Sequence, residues 1–286
     1  MRRQPVDGVR WAGQALNTVD FDAQASQFRR RAGISPELAA AVAQYIAGLR
    51  DGVRVIDLGA GTGELVFALG NLARRCVALD ASRAMIEELR ARLPAESRVE
   101  TAVADANGAW PLADRSLDVA LASRSLHWLD PNHVARELAR VLDELGGWLL
   151  AGRCHRPQGH PVRDLKHILH TELRRRGHQP GNNDNTLRRC VNPLQEHFEV
   201  ETLAPHQWPL TPDSVQSQLD DWRSKPGLAG VTLSTEAQID VLDRVEAQAR
   251  GRFDKQQMTL EHRRSYALEG LRLKRKSARQ WVKVSC

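Results

Sequence analysis

From about residue 38 onward, short apolar runs alternate with amphipathic stretches, a rhythm that predicts strands and helices in turn. Residues 53–58 read as a strand closing on a glycine-rich bend, and 64–74 as a helix with Leu65, Val66, Ala68 and Leu69 turned inward. Residues 76–80 are the next strand. Ser82 stands where it can cap a helix over 83–93 that Pro94 stops. Residues 99–104 and 117–122 are further strands. Asp130 and Pro131 open the clearest helix, on which Val134, Leu138, Val141, Leu142 and Leu145 recur at helical spacing until Gly146-Gly147 ends it. Residues 147–151 are a fifth strand. Such alternation predicts an α/β fold, doubly wound, with helices on both faces of a mostly parallel sheet.

Beyond residue 152 the pattern loosens. Residues 165–176 read as a basic helix, 180–185 as a loop and 197–203 as a strand. Residues 211–253 are helical and variably polar, which suits a cap, and 258–273 read as a final strand pair or one long strand. The expected organisation is one domain over 1–286, with an N-terminal helical lid (1–50), a Rossmann-like core (51–210), a helical cap insertion (211–255) and a final strand with a basic tail (256–286).

The chemistry concentrates at Asp57-Leu58-Gly59-Ala60-Gly61-Thr62-Gly63-Glu64, directly after a strand and opening a helix. Glycines there let the main chain approach a ligand closely, and a helix start offers free N–H groups. A dinucleotide fingerprint would need its third glycine at position 64, where Glu64 stands. The spacing D-x-G-x-G-x-G is that of S-adenosylmethionine binding. Asp80 ends the next strand, where a carboxylate can accept both ribose hydroxyls, and Asp105 follows the third, where it can accept from an adenine amino group. Polar residues do terminate strands for bland reasons, but three acids in succession beside this bend fit that explanation poorly.

On these segments the chain resembles the class I S-adenosylmethionine-dependent methyltransferases, within them the small-molecule group that includes trans-aconitate methyltransferase. Ala104-Asp105 leading into Trp110-Pro111-Leu112, residues 114–119 and residues 125–130 carry the likeness further. It implies a seven-stranded sheet with the last strand antiparallel and a helical insertion before it. It also implies S-adenosylmethionine held by Asp57, Gly59, Ala60, Gly61, Gly63, Asp80, Ala81, Met85, Asp105, Ala106 and Ser123. Residues 21–28 resemble the leading helix that closes over the cofactor, so Phe21, Phe28 and Arg29 are expected beside the acceptor, with Arg124 and Trp128. Leu117 stands where Phe is usual, and Asp143-Glu144-Leu145-Gly146 replaces the common basic–Pro–Gly turn, which leaves the subgroup open.

Methyl transfer is an in-line displacement, and positioning can supply much of its rate; a base is needed only for an acceptor of high pKa. His127, after the fourth strand, is the candidate base, set against a structural histidine beside Trp128. The histidines at 155, 160, 167, 170 and 178 include an i, i+3 pair, yet no zinc signature is complete, so no metal is expected. The expected substrate is a small-molecule acceptor, O-, N- or C-methylated, in specialised metabolism.

Charge qualifies this little. Through residue 150, 18 Arg and Lys stand against 19 acids, and beyond it 23 against 16, with every lysine at or after Lys166. The run 271–276 and the sequence on to Lys283 could track a phosphate backbone, but only Trp281 could stack on a base, so a solvated surface is expected and nucleic acid is not. An RNA methyltransferase, or a cofactor-binding protein that transfers no methyl group, are the alternatives. Four scattered cysteines (Cys76, Cys154, Cys190, Cys286) argue against a disulfide framework. No apolar run of signal-peptide or membrane-spanning length is present, so the expected location is cytoplasmic.

Overall fold

The computed structural model describes residues 34–181 and 186–276. These fall into two compact units, a larger one of residues 34–155, 186–210 and 265–276 and a smaller one of 156–181 and 211–264.

The larger unit begins with α1 (Pro36–Ala47), whose Ser35 cap accepts the Leu38 N–H at 3.2 Å. There follow β1 (Arg54–Leu58), α2 (Val66–Leu72), β2 (Arg75–Asp80), α3 (Arg83–Arg92), β3 (Val99–Val103) and β4 (Val119–Ser123). A 3-10 turn (Leu126–Trp128), α4 (Pro131–Val141) and β5 (Gly147–His155) come next. Ser82 and Asp130 cap α3 and α4 through the N–H groups of Met85 and Asn132. The chain passes through α5 (Pro161–Arg175) of the smaller unit and returns as α6 (Thr186–Gln195), β6 (Phe198–Thr202) and the start of β7 (His206–Asp213). After α7 (Val215–Arg223), α8 (Thr235–Arg252) and α9 (Lys255–Thr259), β8 (His262–Arg275) closes the sheet.

Seven strands lie in the order β3-β2-β1-β4-β5-β8-β6, and an eighth, β7, pairs with β8 off that path. The β1–β2, β1–β4, β2–β3 and β4–β5 pairs are parallel, whereas β8 runs antiparallel to both β5 and β6. Strand order reverses between β2 and β4 on either side of β1, the place where open α/β sheets form a crevice. Ile56, Leu58, Val77, Leu79, Ala120 and Ala122 pack on the α4 and α6 side. Val55, Cys76, Ala78, Val119 and Leu121 pack on the α1 and α2 side. Because both faces are covered, these strands read as unbroken apolar runs rather than alternating ones. Asp57 shares the face of Val55 and is therefore a carboxylate committed to burial.

The smaller unit has its own core. Leu165, Leu169 and Leu173 of α5 pack with Val215 and Leu219 of α7, Val241, Leu242, Val245 and Ala249 of α8, and Met258 of α9.

Several expectations are corrected here. The segment 211–253 is not helical throughout: β7 occupies it to Asp213, and a turn with an isolated Leu228–Val231 bridge separates α7 from α8. Met258 lies in α9, so the closing strand begins only at His262. Leu145 is 77% exposed in the turn after α4, which has already ended at Val141. His160 is buried at the start of α5, where its Nδ1 accepts the Val162 N–H at 3.3 Å and its Nε2 lies 3.1 Å from the Asp213 carboxylate. Arg156 and Arg264 also face that carboxylate. Among the described residues no group of three or more His, Cys, Asp or Glu is placed to hold a metal ion, and no helix is long and apolar enough to cross a membrane.

Candidate functional site

The bend from Leu58 to Glu64 is stitched to the neighbouring strand end, because the N–H groups of Gly59 and Ala60 both donate to the Leu79 carbonyl, at 2.8 and 3.0 Å. Gly59 has φ +75°, and a Cβ there would lie 2.6 Å from the Ser125 Cβ. No L side chain fits, so the ends of β1 and β4 meet through glycine. The Ser125 hydroxyl donates to the Leu58 carbonyl across the same junction.

Asp80 anchors the bend from β2. Its Oδ2 accepts the Gly61 N–H at 2.8 Å and its Oδ1 the Ser82 N–H at 2.9 Å. A carboxylate oxygen can accept from more than one donor. Asp57 is wholly buried, and its Oδ1 has no hydrogen-bond partner among the described residues. Burial pushes its pKa up to about 7; the charges of Asp80 and Glu64 push the same way, and Arg124 opposes them.

A cavity of about 180 Å³ lies over these strand ends. The bend contributes Asp57, Gly59, Ala60 and Gly61 to its wall, the β2 end contributes Asp80, Ala81 and Met85, and the β3 end Asp105 and Ala106. From the β4 end come Ser123, Arg124 and Trp128. Two expected residues do not join this wall. Gly63 instead lets α3 approach, since a Cβ at its φ of +89° would lie 2.8 Å from Leu89 Cγ. His127 stacks beside Trp128 with ring centroids 4.7 Å apart, and burial lowers its pKa to about 4. Phe21, Phe28 and Arg29 lie outside the described residues.

Arg124 follows β4 with φ +61°, a left-handed conformation uncommon for arginine, and its N–H donates to the Gly152 carbonyl at 2.8 Å. The Ser123 hydroxyl lies 2.9 Å from that of Tyr266 on β8, whose pKa burial pushes up to about 12. Sequence reasoning missed Ile34, Glu64, Leu65, Leu79, Asn107, Ser125 and Leu129 in the wall. Glu64 carried a signal, since it directly follows the third glycine of the bend, and so did Leu129, which lies within the segment 125–130 that carries the family likeness. Ile34 carried none, being one apolar residue among many.

A family model described as a methyltransferase domain matches residues 56–151, the stretch from β1 to β5 that builds this cavity. An uncharacterized methyltransferase of Mycobacterium tuberculosis is 37% identical over 125 residues, covering 39% of this chain and 50% of that protein. The demethylmenaquinone methyltransferase of Clavibacter sepedonicus is 40% identical over 92 residues, covering 32% of this chain and 37% of that one. The chain thus spans about half the length, or less, of these curated relatives. The crystal structure of the YcgJ protein of Bacillus subtilis superposes with a TM-score of 0.55 at 20% identity, over 84% of this chain and 99% of that one. The fold is accordingly the α/β Rossmann-like methyltransferase fold, a mostly parallel sheet with an antiparallel strand at its far side.

Proposed function

We propose that this chain is an S-adenosylmethionine-dependent methyltransferase acting on a small-molecule acceptor. The observation that carries the reading is the buried carboxyl of Asp57, whose Oδ1 has no hydrogen-bond partner among the described residues, in a residue that lines the same cavity as Asp80 beside a bend too tight for any side chain at Gly59. A buried acceptor left without a partner loses a desolvation energy of about 1–3 kcal/mol, which a cationic ligand group would recover. The donor set fits the cofactor on that ground. Asp80 would hold the ribose hydroxyls, Asp105 the adenine amino group, and Ala81, Met85 and Ala106 the apolar faces of the base. Asp57 would receive the ammonium of the methionyl end.

When bound, S-adenosylmethionine supplies a methyl group on a positively charged sulfur, open to attack along the line of the breaking bond. The chain's part is to exclude water and to set that line. Trp128 and Leu129 form an apolar side of the cavity, and Arg124 adds a positive charge to the same wall, where it acts on Asp57. A base with a pKa of about 4 holds little drive for removing a proton at neutral pH, so the reading assigns no proton step to His127.

Calorimetric titration with S-adenosylhomocysteine tests the cofactor half, and release of labelled methyl to a panel of small carboxylic acids, phenols and amines tests the rest. Absence of heat with the homocysteine product, from folded protein at neutral pH, would overturn the proposal.

A further inference from the structure

The wall of the cavity has two sides that the chain builds separately, the loop after β3 and the 3-10 turn after β4. Ala106 and Trp110 pack with Leu126 and Leu129 across them, and one side chain, Asn107, also hydrogen-bonds from the first to the second. Asn107 Nδ2 donates to the Trp128 carbonyl at 3.1 Å, and Asn107 Oδ1 accepts the Asp130 N–H at 2.7 Å. Both ends of one carboxamide are thus used on main-chain atoms that bracket Leu129, a wall residue, while Asn107 lines the wall itself. The Asn107 main chain is tied in turn to the β3 side, its N–H donating to Asp105 Oδ1 at 2.8 Å.

The rest of the loop is fastened elsewhere. The Gly108 carbonyl lies 2.7 Å from His133 Nε2, the Trp110 N–H donates to Glu137 at 2.8 Å, and the Trp110 indole donates to the Ala106 carbonyl at 3.0 Å. The 3-10 turn closes on itself through Trp128 N–H to the Ser125 carbonyl and Leu129 N–H to the Leu126 carbonyl. Neither set crosses between Asp105 and Trp128. Asn107 does.

We infer that Asn107 is a positioning residue that couples occupancy of the Asp105 end of the cavity to order in the Trp128–Asp130 wall on the acceptor side. The inference rests on the cofactor reading above, in which the adenine lies against Asp105 and Ala106. A ligand there restrains the β3 loop, and the Asn107 carboxamide passes that restraint to the Trp128 carbonyl and the Asp130 N–H. A purely structural carboxamide would stabilise both sides equally with and without ligand; a coupling one makes the stability of the wall depend on ligand.

The test is amide hydrogen exchange at residues 126–130, with and without saturating S-adenosylhomocysteine, in the parent chain and in Asn107→Ala and Asn107→Asp. In the parent, the ligand is expected to slow exchange of the Asp130 N–H by about ten-fold or more, because local opening must now break a loop that the ligand holds. In Asn107→Ala, measured at a ligand concentration that saturates the variant, this ligand-dependent slowing is expected to disappear. Asn107→Asp keeps the acceptor for Asp130 but loses the donor to Trp128, so an intermediate slowing is expected, and it carries the test if the alanine variant does not fold. Wild-type slowing in either variant that binds the ligand overturns the coupling, as does a parent chain that binds without any slowing. A parent chain that fails to bind overturns the cofactor reading and this inference with it, an outcome told apart by the titration alone.

Discussion

Asp57 and His127 are both buried ionisable groups beside the β1 and β4 ends, yet they pull stability in opposite directions across the same pH range. The Asp57 carboxyl, raised from 3.8 to about 7, holds its proton when folded after the unfolded chain has lost its own. Its contribution is fully present below about pH 4 and is lost as pH climbs to about 7. His127, lowered from 6.5 to about 4, does the reverse: the unfolded chain takes up protons first, so stability falls as pH drops through that interval. A melting curve of the parent chain alone would therefore show little. The difference between Asp57→Asn and the parent isolates one group: the variant should gain in Tm relative to the parent from pH 4 to 7 and level off above. A difference flat across that range would mean that the carboxyl is ionised throughout. Asp80 behaves otherwise, because each of its oxygens already holds an N–H of the bend or of the α3 start. Asp80→Ala should weaken S-adenosylhomocysteine by about ten-fold or more, combining lost ligand bonds with a loosened bend. Asp80→Asn, which retains one acceptor, should fall between. Calorimetry showing equal affinity for all three would remove Asp80 from the ribose.

At the scale of elements, legibility followed burial and local chemistry. β1, β2, β4 and β5 are covered on both faces, and α3 and α4 have side-chain caps, so apolar runs and Ser82 or Asp130 marked them correctly within a few residues. The strand ends that carry Asp57 and Asp80 were legible for the same reason, whereas Asp105 follows β3, an edge strand with no buried residue, and was marked by its place in the family pattern. β7 was not: it holds Pro209 and Pro212, pairs only with β8, and so lacks both the apolar face and the unbroken N–H row of an inner strand. α6 was hidden by Pro193 within it, and α9 by its length of five residues. In the site, Asn107 and Ser125 escaped because their roles are hydrogen bonds to the main chain of distant segments, which no local spacing records. In the Asp143–Gly146 turn, the glycine itself has a physical reason. Gly146 has φ +85°, and a Cβ there would lie 1.8 Å from the Leu273 carbonyl oxygen, so the turn that launches β5 runs directly against β8. Gly146→Ala should cost about 1–3 kcal/mol of unfolding free energy by chemical denaturation, through a strained backbone before any shift of β8 is counted. A neutral result would mean that β5 and β8 do not approach each other as closely as this.

For the molecule as a whole, a net charge of +6 raises the question of a polyanionic partner. Much of the positive charge is internally committed. Arg50 and Arg54 share Asp118 and Asp143, Arg176 reaches Glu172 and Asp240, and Arg223 reaches Asp243 and Glu246. On β8, Arg272 stands 3.9 Å from Glu201 across to β6, and Arg275 is turned onto the carbonyls that end α4. A surface that tracks a phosphate backbone needs unopposed cations at regular spacing, and each one engaged steepens the salt dependence of binding. Guanidiniums spent on carboxylates and carbonyls contribute little to that slope. Binding to a mixed transfer-RNA pool, followed by fluorescence anisotropy, is therefore expected to be weak, with Kd on the order of 10⁻⁵ M at 0.15 M salt, and to vanish within a few-fold increase in ionic strength. Labelled S-adenosylmethionine should leave no methyl in that RNA. Salt-resistant binding together with methyl incorporation would move the acceptor from small molecules to RNA while leaving the cofactor cavity, and the arguments from Asp57 and Asp80, where they are.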